Sequence, residues 1–178
     1  MITVRRPQPD EAAAMAALHV ACWRESYEAF LPRALFESLA AEKRHAIWAR
    51  QIADPERILW TAYEETEPLA FINAGAAAEK DRGDADGEIA ALYVRKAFHR
   101  TGLGRMLMAR AADDWVARGG HALRVGVISA NTSARAFYEG LGGQFLRNDH
   151  YDWDGNDLEI AIYRFDPARD LALHKRDL

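Results

Sequence analysis

The sequence of this 178-residue chain predicts an α/β fold: one central sheet, mixed but largely antiparallel, with helices on both faces. Three observations point there. The strand-like run Ile89-Ala90-Ala91-Leu92-Tyr93-Val94 passes through a glycine turn, His99 to Gly104, into a helix-like run from Arg105 to Arg118. Two apolar runs, Ile58 to Tyr63 and Leu69 to Ala74, precede it as a strand pair. A second pair, Gln144 to His150 and Leu158 to Phe165, closes the chain as a hairpin across Asp152-Trp153-Asp154-Gly155-Asn156.

Taken in order, Ile2 to Arg5 is short and β-branched, which suits a first strand. Pro9-Asp10-Glu11 opens a helix, with proline in the first turn and acids at its positive end. Leu18, Cys22 and Trp23 form an apolar stripe along it. Pro32 to Ala53 reads as one or two helices, broken near Ala40-Ala41 and ended before Pro55. Glu64 to Pro68 is a polar turn within the first strand pair, and Glu79 to Gly87 a charged loop expected to be mobile. Ala122 to Ile128 is a further strand, followed by a short helix from Thr132 to Glu139 capped by Asn131. One domain therefore covers residues 1–165, and residues 166–178 form a polar, loosely held tail.

Composition narrows the function. Apolar residues make up 49% and charged residues 28%, as in soluble globular proteins. A net charge of −4 and a pI near 5.9 argue against nucleic acid as a partner. No apolar run approaches the length of a membrane span, and Met1 to Arg6 lacks the apolar core of a signal peptide, so a cytoplasmic location away from membranes is expected. A single cysteine, Cys22, permits no internal disulfide, and the six histidines lack metal-ligand spacing; no metal is expected.

The glycine turn carries the chemistry. A strand–turn–helix junction leaves the first helical N–H groups without partners. Gly102 and Gly104 lack Cβ atoms, so an anion can approach, while the helix dipole and the flanking Arg100 and Arg105 supply positive charge. The pattern suits a phosphate or pyrophosphate. No glycine here is followed by lysine, which excludes a nucleoside-triphosphate P-loop, and Leu107 stands where a dinucleotide fingerprint needs its third glycine. The spacing that fits resembles the pyrophosphate loop of the GNAT acetyltransferases, [QR]-x-x-G-x-[GA], with His99 where that family prefers Gln or Arg. Glu88 to Val94 resembles the family's central strand, and Asn131 to Gly142 its N-x-x-A-x-x-[FL]-Y-x-x-x-G segment. His19 to Tyr27 is similar to a first helix common in bacterial members. The resemblance spans about residues 2 to 165.

That resemblance implies a sheet splayed between the strand ending at Val94 and the strand ending near Ile128, with acetyl-coenzyme A as cosubstrate lying in the splay. Backbone groups of Leu92, Tyr93 and Val94 would pair with its pantetheine arm. Amides of Arg100, Thr101, Gly102, Leu103, Gly104 and Arg105 would hold the pyrophosphate. Asn131 would contact the arm. Tyr138 would protonate the leaving thiolate, whose free pKa is about 8.5, and the N–H near Val94 would polarise the thioester carbonyl. The plainer readings are a cap for Asn131 and a packed aromatic for Tyr138.

The resemblance implies an amine as acetyl acceptor, on a small molecule or a protein. Its pKa, about 10.4 if lysine-like, leaves on the order of one molecule in a thousand neutral at pH 7, so a base is needed. Glu88 fits, sharing a strand face with residues 90, 92 and 94 if that strand is regular; a water chain is the alternative, and a solvated charge the plain reading. Relatives with a glutamate on the strand before Asn131 differ from this chain, which has Gly126 to Ser129 there. His19, Trp23 and Tyr27, at i, i+4 and i+8, are substrate-side candidates, with core packing the plainer fate of Trp23. The acidic tip Asp149, Asp152, Asp154 and Asp157 suits either a cationic amine or an ordinary polar turn. Relatives are commonly dimers, so a homodimer is compatible with the resemblance. The competing function is a coenzyme-A-binding sensor or interaction module that kept the fold without transfer.

Overall fold

The computed structural model describes residues 1–29, 31–32, 36, 41–153 and 155–166. Seven strands form one sheet: β1 Ile2–Arg5, β2 Ile58–Glu64, β3 Glu67–Ala76, β4 Gly87–Val94, β5 Leu123–Ile128, β6 Gln144–Trp153 and β7 Asn156–Phe165. Their order is β1-β2-β3-β4-β5-β7-β6, antiparallel throughout except for the parallel pair β4–β5. The helices are α1 Ala12–Tyr27, α2 Ala41–Ala53, α3 Leu103–Ala117 and α4 Thr132–Gly140. The remainder of the Pro32–Ala53 expectation and the tail beyond residue 166 lie outside the described residues.

Helices cover both faces, as patterning implied. On one face Leu103, Leu107, Met108, Ala111 and Ala112 of α3 and Tyr138 of α4 pack against Ile58, Ala70, Ile72, Ile89 and Val125. On the other, Met15, Leu18 and Cys22 of α1 join Trp48 and Ile52 of α2 over Leu59 and Phe71. Neither α1 nor any other helix of the described residues is long and apolar enough to cross a membrane.

Two strand expectations change in detail. The first pair runs past its expected ends at Tyr63 and Leu69 to Glu64 and Glu67, leaving a two-residue turn with Glu65 at φ 56°. Pro68 is accommodated because it pairs with Tyr63 at a register shift, where the ladder is already interrupted. The helix after the glycine turn also starts two residues early, at Leu103, with Gly102 as its cap.

The charged segment 79–87 is tied down. Asp86 accepts hydrogen bonds from the N–H groups of His121 and Ala122, both at 2.8 Å, and these bonds hold its carboxyl near pKa 2 against the opposing effect of burial. Asp81 lies 2.5 Å and Asp84 3.6 Å from the buried guanidinium of Arg124. Asp84 also pairs with Arg147 at 2.6 Å.

Candidate functional site

A splay opens between β4 and β5. The two parallel strands pair only through Gly87 with Leu123, Glu88 with Arg124 and Ile89 with Val125. Past that point β4 keeps only β3 as a partner, and β5 keeps only β7. The free edge of β4 can be assigned residue by residue. Arg95 N–H turns to Leu69 O on β3 at 2.9 Å, whereas His99 Nε2 donates to Val94 O from the other side at 2.9 Å. Peptide groups alternate along a strand, so those of Val94 and Leu92 face the splay. Tyr93 therefore directs its peptide groups to Phe71, its register partner on β3, and not to the free edge as expected. His99 thus acts as a clasp on the strand end that leads into the turn.

The turn is left-handed twice, at Arg100 (φ 63°) and Gly102 (φ 89°). Thr101 Oγ1 donates back to Phe98 O at 2.8 Å, so its hydroxyl is spent within the turn. Gly102 gives α3 no side-chain cap, and the first helical bond runs from Met106 N–H to Gly102 O. The N–H groups of Leu103, Gly104 and Arg105 are consequently without intrahelical partners. Gly104 serves packing: a Cβ there would meet the Phe137 ring at 3.2 and 3.3 Å, so its small size brings α3 against α4. Together the free strand edge and the unpaired helical amides suit an extended amide chain ending in phosphates.

Asn131 caps α4, its Oδ1 accepting from Ala134 N–H at 3.0 Å, and its side chain also contacts the Tyr27 hydroxyl. Tyr138 is buried on the same helix, its ring 5.2 Å from Phe137, 6.3 Å from Tyr163 and 6.2 Å from Phe165. Burial first, then the neighbouring Tyr27 hydroxyl, pushes its pKa upward and keeps it protonated. The Tyr27 and Tyr93 hydroxyls lie 3.4 Å apart. Both of their pKa values are also raised, chiefly by burial.

His19, Trp23 and Tyr27 do share one face of α1, and that face meets the splay. The His19 ring sits 5.3 Å from Tyr93, 5.2 Å from Phe71 and 6.0 Å from Trp48. Desolvation, reinforced by the charge of Arg44, pushes its pKa down to about 3. Trp23 is core, as the plainer reading had it, yet its ring centroid lies only 4.4 Å from that of Trp153. Trp23, Tyr27 and Phe36 form a separate apolar cluster on which Tyr93, Ile128 and Trp153 pack. Trp153 and Arg44 were not singled out in the sequence: Trp153 lies inside an acidic turn and Arg44 in a polar helix, with no spacing that links them to α1.

Glu88 is displaced from its expected face. The β3–β4 register shifts between Asn73/Ala91 and Ala74/Ile89, leaving Ala90 as a bulge. Ile89, Leu92 and Val94 consequently all pack towards α3, Ala91 and Tyr93 pack on the α1 side, and alternation from Ile89 turns Glu88 to that same side. Its carboxylate is 3.7 Å from Arg124 and its side chain 31% exposed, twice the exposure of Asp81 and Asp84 in the same cluster. The acidic hairpin tip is used internally. Asp149 pairs with Arg147 at 3.1 Å, Asp152 accepts from Gly155 N–H at 2.8 Å, and Asp157 pairs with His150 at 3.0 Å. Asp154 lies outside the described residues.

Known proteins share this architecture. The chain is 26% identical over 155 residues to the uncharacterized N-acetyltransferase YuaI of Bacillus subtilis, covering 87% of each chain. The structure of YncA, a putative acetyltransferase from Salmonella typhimurium with acetyl-CoA, superposes with a TM-score of 0.69 at 20% identity, covering 93% of this chain and 94% of that one. The PaiA N-acetyltransferase of Thermoplasma acidophilum in complex with coenzyme A gives 0.68 at 18% identity, over 90% and 98%. The model of the acetyltransferase (GNAT) family matches residues 13–142, which include the free strand edge, the glycine turn, Asn131 and Tyr138. This chain belongs to the GNAT acetyltransferase family.

Proposed function

We propose that this protein is an acetyl-coenzyme-A-dependent N-acetyltransferase that moves the acetyl group directly to a primary amine. The observation that carries this reading is the splay itself: a strand edge free at Leu92 and at the Val94 N–H leads straight to the unpaired amides at the start of α3. The cosubstrate supplies an activated acetyl group as a thioester. Leu92 and Val94 would hold its amide-rich arm by strand addition, and the amides of Leu103, Gly104 and Arg105, with Arg100 nearby, its pyrophosphate. The Val94 N–H would face the thioester carbonyl as an oxyanion donor.

Tyr138 takes the part of general acid. Its hydroxyl is protonated, its pKa raised by burial and then by Tyr27, so it can meet a departing thiolate as a hydrogen-bond donor as the carbon–sulfur bond breaks. Glu88 takes the part of general base through water. It lies on the acceptor face with Tyr93 and is the most exposed carboxylate of the Arg124 cluster.

Thiol release from acetyl-coenzyme A, followed across a panel of amines, tests the reading. Tyr138→Phe should lower kcat roughly 10²–10⁴-fold while coenzyme binding, measured by calorimetry, persists. Glu88→Gln should lower kcat while coenzyme binding persists. Unchanged kcat in either variant removes that residue from the chemistry. Coenzyme binding without turnover of any amine would instead support the sensor.

A further inference from the structure

The geometry points to an acceptor that carries a carboxylate as well as its amine, bound by Arg44 at the outer edge of the aromatic wall. This rests on the acetyl-transfer reading above and names the substrate class of that same site. Trp23 and Trp153 stack at 4.4 Å with a 31° tilt, and the Arg44 guanidinium lies over the Trp153 ring at 4.9 Å. Trp23 also contacts Tyr27 at 4.7 Å, and Tyr27 reaches Tyr93 on β4. The stack therefore runs from the splay outward to a cation.

Three features make that cation a recognition group. A cation held over an aromatic ring spends no N–H donor on a carboxylate, and the planar guanidinium fork matches one in bidentate geometry. Arg44 has no carboxylate partner among the described residues, unlike Arg5, Arg95, Arg124 and Arg147, each of which is paired. Its neighbour His19 is held neutral, so the amine end of an acceptor meets no second fixed cation there. A diamine or polyamine would instead bring a second positive charge to Arg44, a repulsive pairing that selects against it.

The test compares kcat/KM for matched acceptors: α- and ω-amino acids against their carboxamides and their carboxyl-free amines of equal chain length. The native protein should favour each carboxylate by roughly tenfold to a hundredfold, the range set by charge-assisted hydrogen bonds. In Arg44→Gln that ratio should fall towards one through KM, and Arg44→Lys should keep part of it because the charge remains but the fork is lost. Quenching of tryptophan fluorescence by the same compounds, with coenzyme A bound, reads the contact at Trp153 without turnover. Equal use of carboxylated and carboxyl-free amines, or a ratio unmoved by Arg44→Gln, overturns this inference while leaving acetyl transfer standing. Absence of thiol release with every amine overturns the transfer reading, and the fluorescence titration then decides for or against the Arg44 contact on its own.

Discussion

His19 packs its imidazole among Trp48, Phe71 and Tyr93, where charging it would strip a cation of water beside the existing charge of Arg44. Its pKa falls from an ordinary value of about 6.5 to about 3. Between those values the unfolded chain binds a proton that the folded chain refuses. Stability from this group is therefore complete above pH 6.5 and is lost as pH falls towards 3. One such proton gives a slope of at most about 1.4 kcal/mol per pH unit. The upper part of that window, pH 6.5 to 5, lies above the range where Glu11 and Asp86, both held near pKa 2, take up protons. Urea melts over pH 6.5 to 5 should show the native protein losing stability faster than His19→Phe. Parallel curves would mean that the imidazole is protonated in place.

Much of the element scale was legible because periodicity and turn chemistry are local. The strand–glycine–helix junction, the Asn131 cap and both hairpins follow from neighbours in sequence. The bulge at Ala90 does not, because nothing within Gly87–Val94 requires it; it arises where β4 shifts register against Asn73 and Ala74 of β3. That one residue reverses the side of the sheet that Glu88 faces. The same limit hid Arg44 and Trp153, which lie 109 positions apart and meet only when α2 lies near the β6 end. Gly104 was legible as small but not as a packing position, since its contact Phe137 belongs to another helix. Of the two glycines in this turn, Gly102 is the one held in the left-handed region, at φ 89°. Gly102→Ala should cost roughly 1–2 kcal/mol for a side chain forced into the left-handed region. For a domain of this size that is a drop of about 2–8 °C in Tm by calorimetry, accompanied by weaker coenzyme binding. An unchanged Tm would show that the turn relaxes without strain.

Across the whole molecule, the splay requires that β4 and β5 be clamped at one end and free at the other. The clamp is Arg124, 4% exposed near the start of β5, with Asp81, Asp84 and Glu88 gathered around it. It pairs β5 to the register partner Glu88 on β4 and draws segment 79–87 over the strand ends. Through Asp84 the cluster extends to Arg147 on β6, while Arg164 on β7 donates to the Asp84 carbonyl. Four strands thus converge on one buried charge just below the point where the sheet opens. Replacing that charge leaves the largely sheltered Asp81 without a cation and Asp84 with only the half-exposed Arg147. Breaking one side of a buried ionic cluster costs about 3–5 kcal/mol, far more than an exposed pair contributes. Arg124→Met keeps most of the side-chain volume, so its loss of stability reports the charge. Chemical denaturation should place it about 3–5 kcal/mol below the native protein, and Arg147→Met, with its half-exposed guanidinium, within about 1 kcal/mol. Hydrogen exchange should then be fastest in 79–89 and in β5. A variant of Arg124 as stable as the native protein would mean that apolar packing beneath Ile89 and Val125 holds the closed end of the splay without the charge cluster.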